Sequence, residues 1–528
     1  MPKLSRWLMP LVLAGLTALP ALAQSPQRGG TLTQVLALQP PMLVPLSPDG
    51  SRSTGPKIVE GLLRYDFDLN PLPALATGWH VSDDGLEYRF DIRQGVKWHD
   101  GQPFTAADAA FSIQLLKEYH PRGRTTFANV TAIETPDDHS LILRLSRPAP
   151  YLIRALAAVE SPILPRHLYE GSDPLTNPWN QKPVGTGPFR FAELQGGSFL
   201  RLERNPDYWD KGKPYLDGVV FRILPDAAAR AVAVETGEAD LTTGNLIPMA
   251  DLERVRALRH IRIEERGTIF EAGVKRIEFN LDEPHFKDLR VRQAVAHAID
   301  RDTIRNVIWY GYGQPVSGPI SPDLSPFRAE GLPDHAFDPA KAEALLDEAG
   351  YPRGANGIRF SLPLDFRPAT EGDRRTADYV KQALAQVGIA IEVRVQDFPT
   401  YTRRVYTDRD FAFTVNSMTN TFDPTVGVQR LYWSKNFRPG VPFTNGAHYA
   451  NPQTDALLEA TAVETDPAKR KALWDQIQTQ VIADLPDINL LSDFNFSIIN
   501  GRVQDAVTDA EGINGSLADA WIKDEVTQ

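Results

Sequence analysis

L-E-Y-R-F-D-I-R-Q-G-V-K-W-H-D-G-Q-P-F-T-A-A-D-A-A-F-S-I-Q-L-L, residues 86–116, is the most informative stretch of the chain. In its first part, 86–93, apolar residues alternate strictly with charged ones, which is typical of a half-buried β-strand. Thr105 then precedes Asp108 by three residues, the spacing of a capping box, and the apolar positions that follow predict a helix. The stretch therefore predicts a strand, a loop and a helix in succession.

The loop and helix start at residues 95–108 have the sequence G-V-K-W-H-D-G-Q-P-F-T-A-A-D. This segment resembles the signature of the family 5 extracytoplasmic solute-binding proteins, the peptide, opine and nickel receptors of ABC importers. Two later segments resemble the same family, P-V-G-T-G-P-F at 183–189 and R-N-P-D-Y-W-D-K-G-K-P-Y-L-D at 204–217. The resemblance extends from about residue 29 to residue 500, which is most of the chain.

The resemblance implies an α/β fold of the type II periplasmic-binding-protein class, with two halves, a hinge and an inserted extra lobe. The sequence agrees, because a helical segment at 374–387 is followed by an alternating strand at 389–395. The chain is expected to cross between the halves near residues 274 and 494, and such crossings are natural hinges. The expected divisions are a signal peptide at 1–23, a discontinuous lobe I at 24–55, 183–273 and 494–528, an inserted lobe II at 56–182, and a lobe III at 274–493.

The beginning of the expected mature chain combines a short strand with a loop. T-L-T-Q-V-L-A-L at 31–38 predicts the strand, and a proline-rich loop follows it. The next segment, I-V-E-G-L-L-R-Y at 58–65, is interpreted as helical. In the family, the corresponding strand and loop open into the ligand cleft.

The amino terminus has the pattern of a secretory signal peptide. Lys3 and Arg6 are followed by an apolar run at 8–19 and by a small-x-small site that ends at Ala23. The run contains a proline and is too short to span a membrane. Cleavage is expected before Gln24, and because no cysteine follows, no lipid anchor is expected. We therefore expect a soluble periplasmic protein that is not a lipoprotein.

Composition excludes several classes of function. The 528 residues include no cysteine, so disulfides, thiol catalysis and thiolate metal sites are excluded. Removal of the signal peptide leaves 54 basic and 67 acidic residues, a net charge of about −13. This excess of acids argues against binding to nucleic acid or to an anionic membrane. We expect a monomer without a cofactor.

Enzymatic motifs are absent from the sequence. No G-x-S-x-G segment occurs, and no two of the ten histidines are four residues apart. The G-T-G at 185–187 is followed by Pro188 and lacks a Lys-Ser/Thr, so it is interpreted as a turn rather than a phosphate loop. His99 is interpreted as structural. These observations favour a binding protein over an enzyme, with a secreted hydrolase as a remote alternative.

The first candidate ligand-binding residue is Arg367. In dipeptide-binding relatives, an arginine before a proline, ahead of a helix that carries an arginine pair, binds the carboxylate of the ligand. Here Arg367 precedes Pro368, and the pair is Arg374 and Arg375. A planar guanidinium can hold a carboxylate with two parallel hydrogen bonds. The alternative is a surface or ion-paired arginine.

The second candidate segment is F-A-F-T-V-N-S-M-T-N-T-F-D-P, which ends at Pro424. Peptide-binding relatives have a tryptophan and then an aspartate before a comparable Asp-Pro, and that aspartate receives the peptide ammonium. Here those two positions are Ser417 and Asn420, so the sequence departs at both. A neutral amide is a poor partner for an enclosed ammonium. The predicted ligand-binding residues of this segment are Asn416, Met418, Asn420, Phe422 and Asp423, although Asp423 is also interpreted as fixing the turn before the proline.

These features predict a periplasmic receptor that delivers a small carboxylate-bearing solute to an inner-membrane ABC permease. Peptide-like ligands, N-blocked peptides, opines and glycoconjugates or oligosaccharides all remain open. Chelated nickel is a further alternative, with His448 as the nearby ligand, and so is a chemosensory role. Several aromatic residues are candidates to line the cleft, but such residues more often belong to the core: Trp309, Tyr401, Tyr406, Tyr432 and Trp433.

Overall fold

A computed structural model describes residues 25–46, 51–266, 269–493 and 496–523. The predicted signal peptide and its cleavage site lie outside these residues. In the described parts of the chain, no helix is long and apolar enough to cross a membrane.

The described strands occur throughout the chain and form three main sheets. They are Thr31–Leu36 (β1), Leu63–Tyr65 (β2), Pro71–Pro73 (β3), Ala76–Val81 (β4), Glu87–Ile92 (β5), Val130–Asp137 (β6), Ser140–Leu145 (β7), Phe189–Gln195 (β8), Phe199–Arg204 (β9), Gly218–Ile223 (β10), Leu241–Thr243 (β11), Ile261–Glu264 (β12), Gly273–Phe279 (β13), Phe360–Phe366 (β14), Ile389–Arg394 (β15), Phe413–Thr419 (β16), Asp487–Ser492 (β17), Ser497–Asn500 (β18), Val503–Gln504 (β19) and Trp521–Ile522 (β20).

The α-helices pack on the sheets and range from single turns to 18 residues. They are Ala106–Tyr119 (α1), Gly123–Thr126 (α2), Arg166–Tyr169 (α3), Ala227–Glu235 (α4), Met249–Arg256 (α5), Leu289–Ala298 (α6), Arg301–Thr303 (α7), Pro339–Glu348 (α8), Glu371–Gln386 (α9), Phe398–Thr402 (α10), Pro424–Gly427 (α11), Gln429–Tyr432 (α12), Pro452–Thr461 (α13) and Pro467–Asp484 (α14).

The largest sheet has seven strands in the order β12-β18-β11-β1-β10-β9-β8. β1 runs parallel to both of its neighbours, and the remaining pairs are antiparallel. The strands come from three distant parts of the chain, one at each end and one in the middle. This sheet therefore ties the two ends of the described chain into one unit.

The opening sequence stretch lies in a separate four-stranded antiparallel sheet, β4-β5-β7-β6. The predicted alternation is confirmed, because Tyr88, Phe90 and Ile92 are buried and the residues between them are not. The predicted capping box is also confirmed: the Thr105 amide donates to Asp108 Oδ2 at 3.0 Å at the start of α1.

The helical interpretation of residues 58–65 is wrong, because this segment ends in strand β2. The backbone here packs closely against another segment: the Leu63 amide donates to the Leu156 carbonyl at 3.2 Å. A Cβ atom on Gly61 would lie 2.3 Å from the same carbonyl oxygen. This close backbone contact, which requires glycine, overrides the helical pattern.

The third sheet has five strands in the order β15-β14-β16-β13-β17. β14 runs parallel to β15 and β16, whereas β13 is antiparallel to both of its neighbours. The chain passes between this sheet and the seven-stranded sheet twice, between β12 and β13 and again between β17 and β18. No other two main-sheet strands that follow each other among the described strands belong one to each of these two sheets.

A buried ionic network lies in the centre of the five-stranded sheet. Arg276 on β13 pairs with Glu278 at 3.0 Å and with Asp487 at 2.7 Å, and its Nε donates to Asn416 Oδ1 at 3.1 Å. Tyr432 also donates to Asp487, at 2.6 Å. Burial lowers the pKa of Arg276, but the two carboxylates outweigh it and hold the pKa above its ordinary value. The network therefore fixes the guanidinium in its charged form.

Replacing Arg276 with alanine is expected to destabilise the protein by about 3–5 kcal/mol, because two buried carboxylates would lose their cation. Urea unfolding of the purified protein measures the change. The matched control is Arg222→Ala on β10, whose exposed pair with Glu238 at 2.7 Å should contribute at most about 1 kcal/mol. Equal effects of the two substitutions would contradict the assignment of the network as a major stabilising element.

Candidate functional site

The candidate site is the region outside one edge of the five-stranded sheet, which we call the crevice. The parallel strands β14 and β16 end at this edge, as does β17, while the antiparallel strand β13 begins there. α9 starts just after β14. Ligands of open α/β sheets bind outside the carboxyl ends of the strands. The two connections to the seven-stranded sheet leave from the same edge, so this crevice lies at the crossing between the sheets.

Arg367 lies at this edge, directly after β14. Its amide donates to the Val415 carbonyl at 2.9 Å, which fixes its backbone against β16. The half-buried guanidinium lies 5.6 Å from the ring centroid of Phe443 and 6.0 Å from that of Phe398. Among the described residues, no carboxylate pairs with Arg367, and its buried Nε has no hydrogen-bond partner. A cation that lies beside two rings and has no counter-ion among the described residues is suited to bind an anionic group.

A second charged group, Lys275 on β13, lies near Arg367. Its Nζ lies 3.1 Å from Asp493 Oδ1 and 3.7 Å from Asp373 Oδ1, and 4.0 Å from the ring centroid of Trp309. Burial lowers the pKa of Lys275, but Asp493 and Asp373 outweigh it and hold the pKa above its ordinary value. Lys275 is therefore charged, and the carboxylates of Asp373 and Asp493 both pair with its ammonium group.

Two further polar groups adjoin Asp493. Ser417 on β16 donates its hydroxyl hydrogen bond to Asp493 Oδ2 at 2.7 Å. Burial raises the pKa of Asp323; a hydrogen bond from Ser321 opposes this, and the nearby charge of Asp493 reinforces it. Carboxyl groups are therefore more numerous than amines at this end of the crevice.

The other predicted site residues are buried and contact other residues of the protein. Asn416 belongs to the Arg276 network, and its Nδ2 donates to Glu278 at 2.8 Å. Asn420 accepts a hydrogen bond from the Ser321 amide at 2.6 Å and donates to the Pro319 carbonyl at 3.0 Å. Both side-chain amides therefore have protein partners at each end.

Met418, Phe422 and Asp423 are also buried. Phe422 packs on Phe270 with 5.2 Å between ring centroids. Asp423 accepts two hydrogen bonds from Arg470, at 2.6 and 2.8 Å, and caps α11 through the Thr425 amide. Burial raises the pKa of Asp423, but the Arg470 guanidinium outweighs it and holds the pKa below its usual range. Its contacts stabilise the turn before the proline, as the sequence suggested.

The histidines considered in the sequence have structural contacts. The ring of His99 lies 3.0 Å from the Gly187 carbonyl and 3.2 Å from the Gly185 amide, and burial lowers its pKa to about 4. His448 lies 2.8 Å from Asp282 and stacks on Phe437. Within the described residues, no three histidine, aspartate or glutamate side chains are grouped so that they could hold a metal ion.

Lys275, Asp373 and Asp493 were not among the residues predicted from the sequence. Lys275 belongs to β13, in which all seven residues are buried although three of them are charged, so a strand with this many charges was an available signal. Asp493 directly follows the buried strand β17. Both residues adjoin the two crossings that the sequence analysis had located near 274 and 494. Of the candidate aromatic residues, Trp309, Tyr401, Tyr406 and Tyr432 are buried, as the core interpretation predicts.

Comparisons with known proteins agree with this architecture. The model of the bacterial extracellular solute-binding proteins, family 5, matches residues 70–440. A putative ABC transporter peptide-binding protein of Brucella ovis is 32% identical over 445 residues, which cover 81% of this chain and 80% of the relative. A glutathione-binding protein, GsiB of Pectobacterium atrosepticum, is 28% identical and covers 84% of each chain.

Solved structures extend the agreement to the fold. The structure of PBP AgaA in complex with agropinic acid, from A. tumefaciens R10, is similar with a TM-score of 0.77 and 27% identity. The match covers 94% of this chain and 99% of AgaA. The expected α/β fold of the type II periplasmic binding proteins is confirmed. The chain belongs to family 5 of the bacterial extracellular solute-binding proteins, as residues 95–108 had suggested.

Proposed function

We propose that this protein is the periplasmic receptor of an ABC importer and captures a peptide-like, carboxylate-bearing solute in the crevice beside Arg367. The chain belongs to a family of solute-binding receptors, and ABC transporter binding proteins of this kind work with a permease. The observation that carries the ligand class is the guanidinium of Arg367, which has no carboxylate partner among the described residues. The named ligands of the relatives support the proposal, because peptides, glutathione and agropinic acid all carry carboxylates.

The proposed cellular role combines the amino-terminal sequence pattern with the family of the chain. Residues 1–23 would direct export and be removed, and the mature protein would act as a monomer in the periplasm without a lipid anchor. We propose the division into lobe I, lobe II and lobe III that the sequence predicts, and a mechanism in which the two halves close around the solute and closure forms the face that the permease recognises. The two connections beside β13 and β17 would act as the hinge.

Replacing Arg367 with alanine is expected to weaken binding of a carboxylate ligand about 10- to 150-fold, since charge-assisted hydrogen bonds contribute roughly 1.5–3 kcal/mol. The test uses thermal shifts with free dipeptides, glutathione and agropinic acid. In the wild type, a ligand at ~100 times its dissociation constant should add about 2.7 kcal/mol to stability.

The matched control is Arg374→Ala, an exposed arginine in the first turn of α9. It should leave the ligand-induced shift unchanged. Dipeptides with an amidated carboxyl terminus should give no ligand-induced thermal shift even in the wild type, because they have no carboxylate for Arg367 to bind. An unchanged shift in Arg367→Ala would refute the role of this guanidinium.

Ligand binding is also expected to bring the two halves together, because both must contact one solute. The chain has no cysteine, so two introduced cysteines would be its sole thiol labels. We expect fluorescence energy transfer between dyes at Glu118→Cys on α1 and Glu348→Cys on α8 to change when a ligand binds. A control pair within the four-stranded-sheet region, Asp83→Cys and Glu118→Cys, should show no change. Identical transfer with and without ligand in the first pair would contradict closure.

A further inference from the structure

Two carboxylates share a single lysine at the β13 side of the crevice, and a third carboxyl group lies near one of them. Asp493 and Asp373 both pair with Lys275, at 3.1 and 3.7 Å. Asp323 lies close enough to Asp493 for their charges to interact. The Lys275 amine is therefore divided between two carboxylates, and Arg367 supplies a second positive charge nearby.

Two of these carboxyl groups retain unused hydrogen-bonding capacity. Asp373 is 3% exposed, and within the described residues its Oδ1 accepts no hydrogen bond. The side chain of Asp493 is 22% exposed and contacts Lys275 and Ser417. A carboxylate has about four acceptor positions, so these contacts do not use up its capacity. Asp493 is therefore both accessible and able to accept another donor.

The neighbouring strand β16 and the turn after it provide no carboxylate that could take the place of Asp493. Asn420 is neutral, and Ser321 and Pro319 occupy both ends of its amide. Ser417 is small, and its hydroxyl contacts Asp493 directly. Neither β16 nor the turn after it therefore offers an accessible carboxylate, whereas the end of β17 does.

We infer that Asp493 is a specificity-determining residue that accepts a primary ammonium group of the ligand while Arg367 holds its carboxylate. The inference rests on the proposed function, since both residues act in the same crevice. It assigns a zwitterionic ligand to the protein and excludes ligands with a blocked amine. Charge-assisted hydrogen bonds to a partly buried carboxylate supply the discrimination, because a blocked amine carries no positive charge to offer the acceptor positions that Lys275 and Ser417 leave open.

Native mass spectrometry with two ligand mixtures tests the inference. The first is an equimolar mixture of dipeptides without lysine or arginine, and the second is the same mixture after complete N-acetylation. The wild type is expected to retain members of the free mixture with at least about tenfold preference. Equal retention of the two mixtures, a preference for the acetylated one, or retention of neither would overturn the inference.

Variants distinguish this inference from the role of Arg367. Asp493→Asn should lose the preference for free amines, Asp493→Glu should restore part of it, and Asp302→Asn, at an exposed position of α7, should retain it in full. Melting temperatures without ligand check that each variant is folded. A preference that persists in folded Asp493→Asn would show that this aspartate serves only the ion pair with Lys275, and would overturn the inference. A third mixture with amidated carboxyl termini tests Arg367 alone, so the two ideas can fail separately.

Discussion

The contact between the two connecting segments organises this protein. The Asp493 amide donates to the Gly273 carbonyl at 2.8 Å, and the Asp493 carboxylate pairs with Lys275 two residues further along β13. The two passages between the sheets are therefore bonded to each other where they leave the five-stranded sheet. Because the strand ends that form the crevice lie at the same edge, any group bound there lies next to the connection between the halves.

Local sequence patterns predicted the elements whose environment is local. The alternation at 86–93 and the capping box at Thr105 depend on residues only a few positions apart, and both are confirmed. The family and the type II fold followed from residues 95–108 and are confirmed as well. Residues 58–65 were misread because their conformation depends on a backbone contact with Leu156, nearly a hundred positions later. A periodicity argument has no access to such a contact.

In the candidate site, too, residues within a recognisable local motif could be predicted, whereas residues brought together by distant contacts could not. Arg367 was identifiable because the residues around it in sequence carry the resemblance, and its role in binding stays a prediction. Asn416 and Asn420 were chosen by position along one strand, but their amides bond to Arg276 and to the loop at Pro319. Lys275 and Asp493 are 218 positions apart and meet only because β13 pairs with β17. Charges brought together by strand pairing are visible only once the register is known.

Gly273 provides the space that the Asp493 carboxylate occupies. A Cβ atom there would lie 2.4 Å from Asp493 Oδ2, so any larger residue would displace that carboxylate. The absence of a side chain at position 273 therefore leaves the room in which the Asp493 carboxylate reaches both Lys275 and Ser417. A substitution at this glycine would consequently move the acid of the crevice without removing any charged residue from the chain.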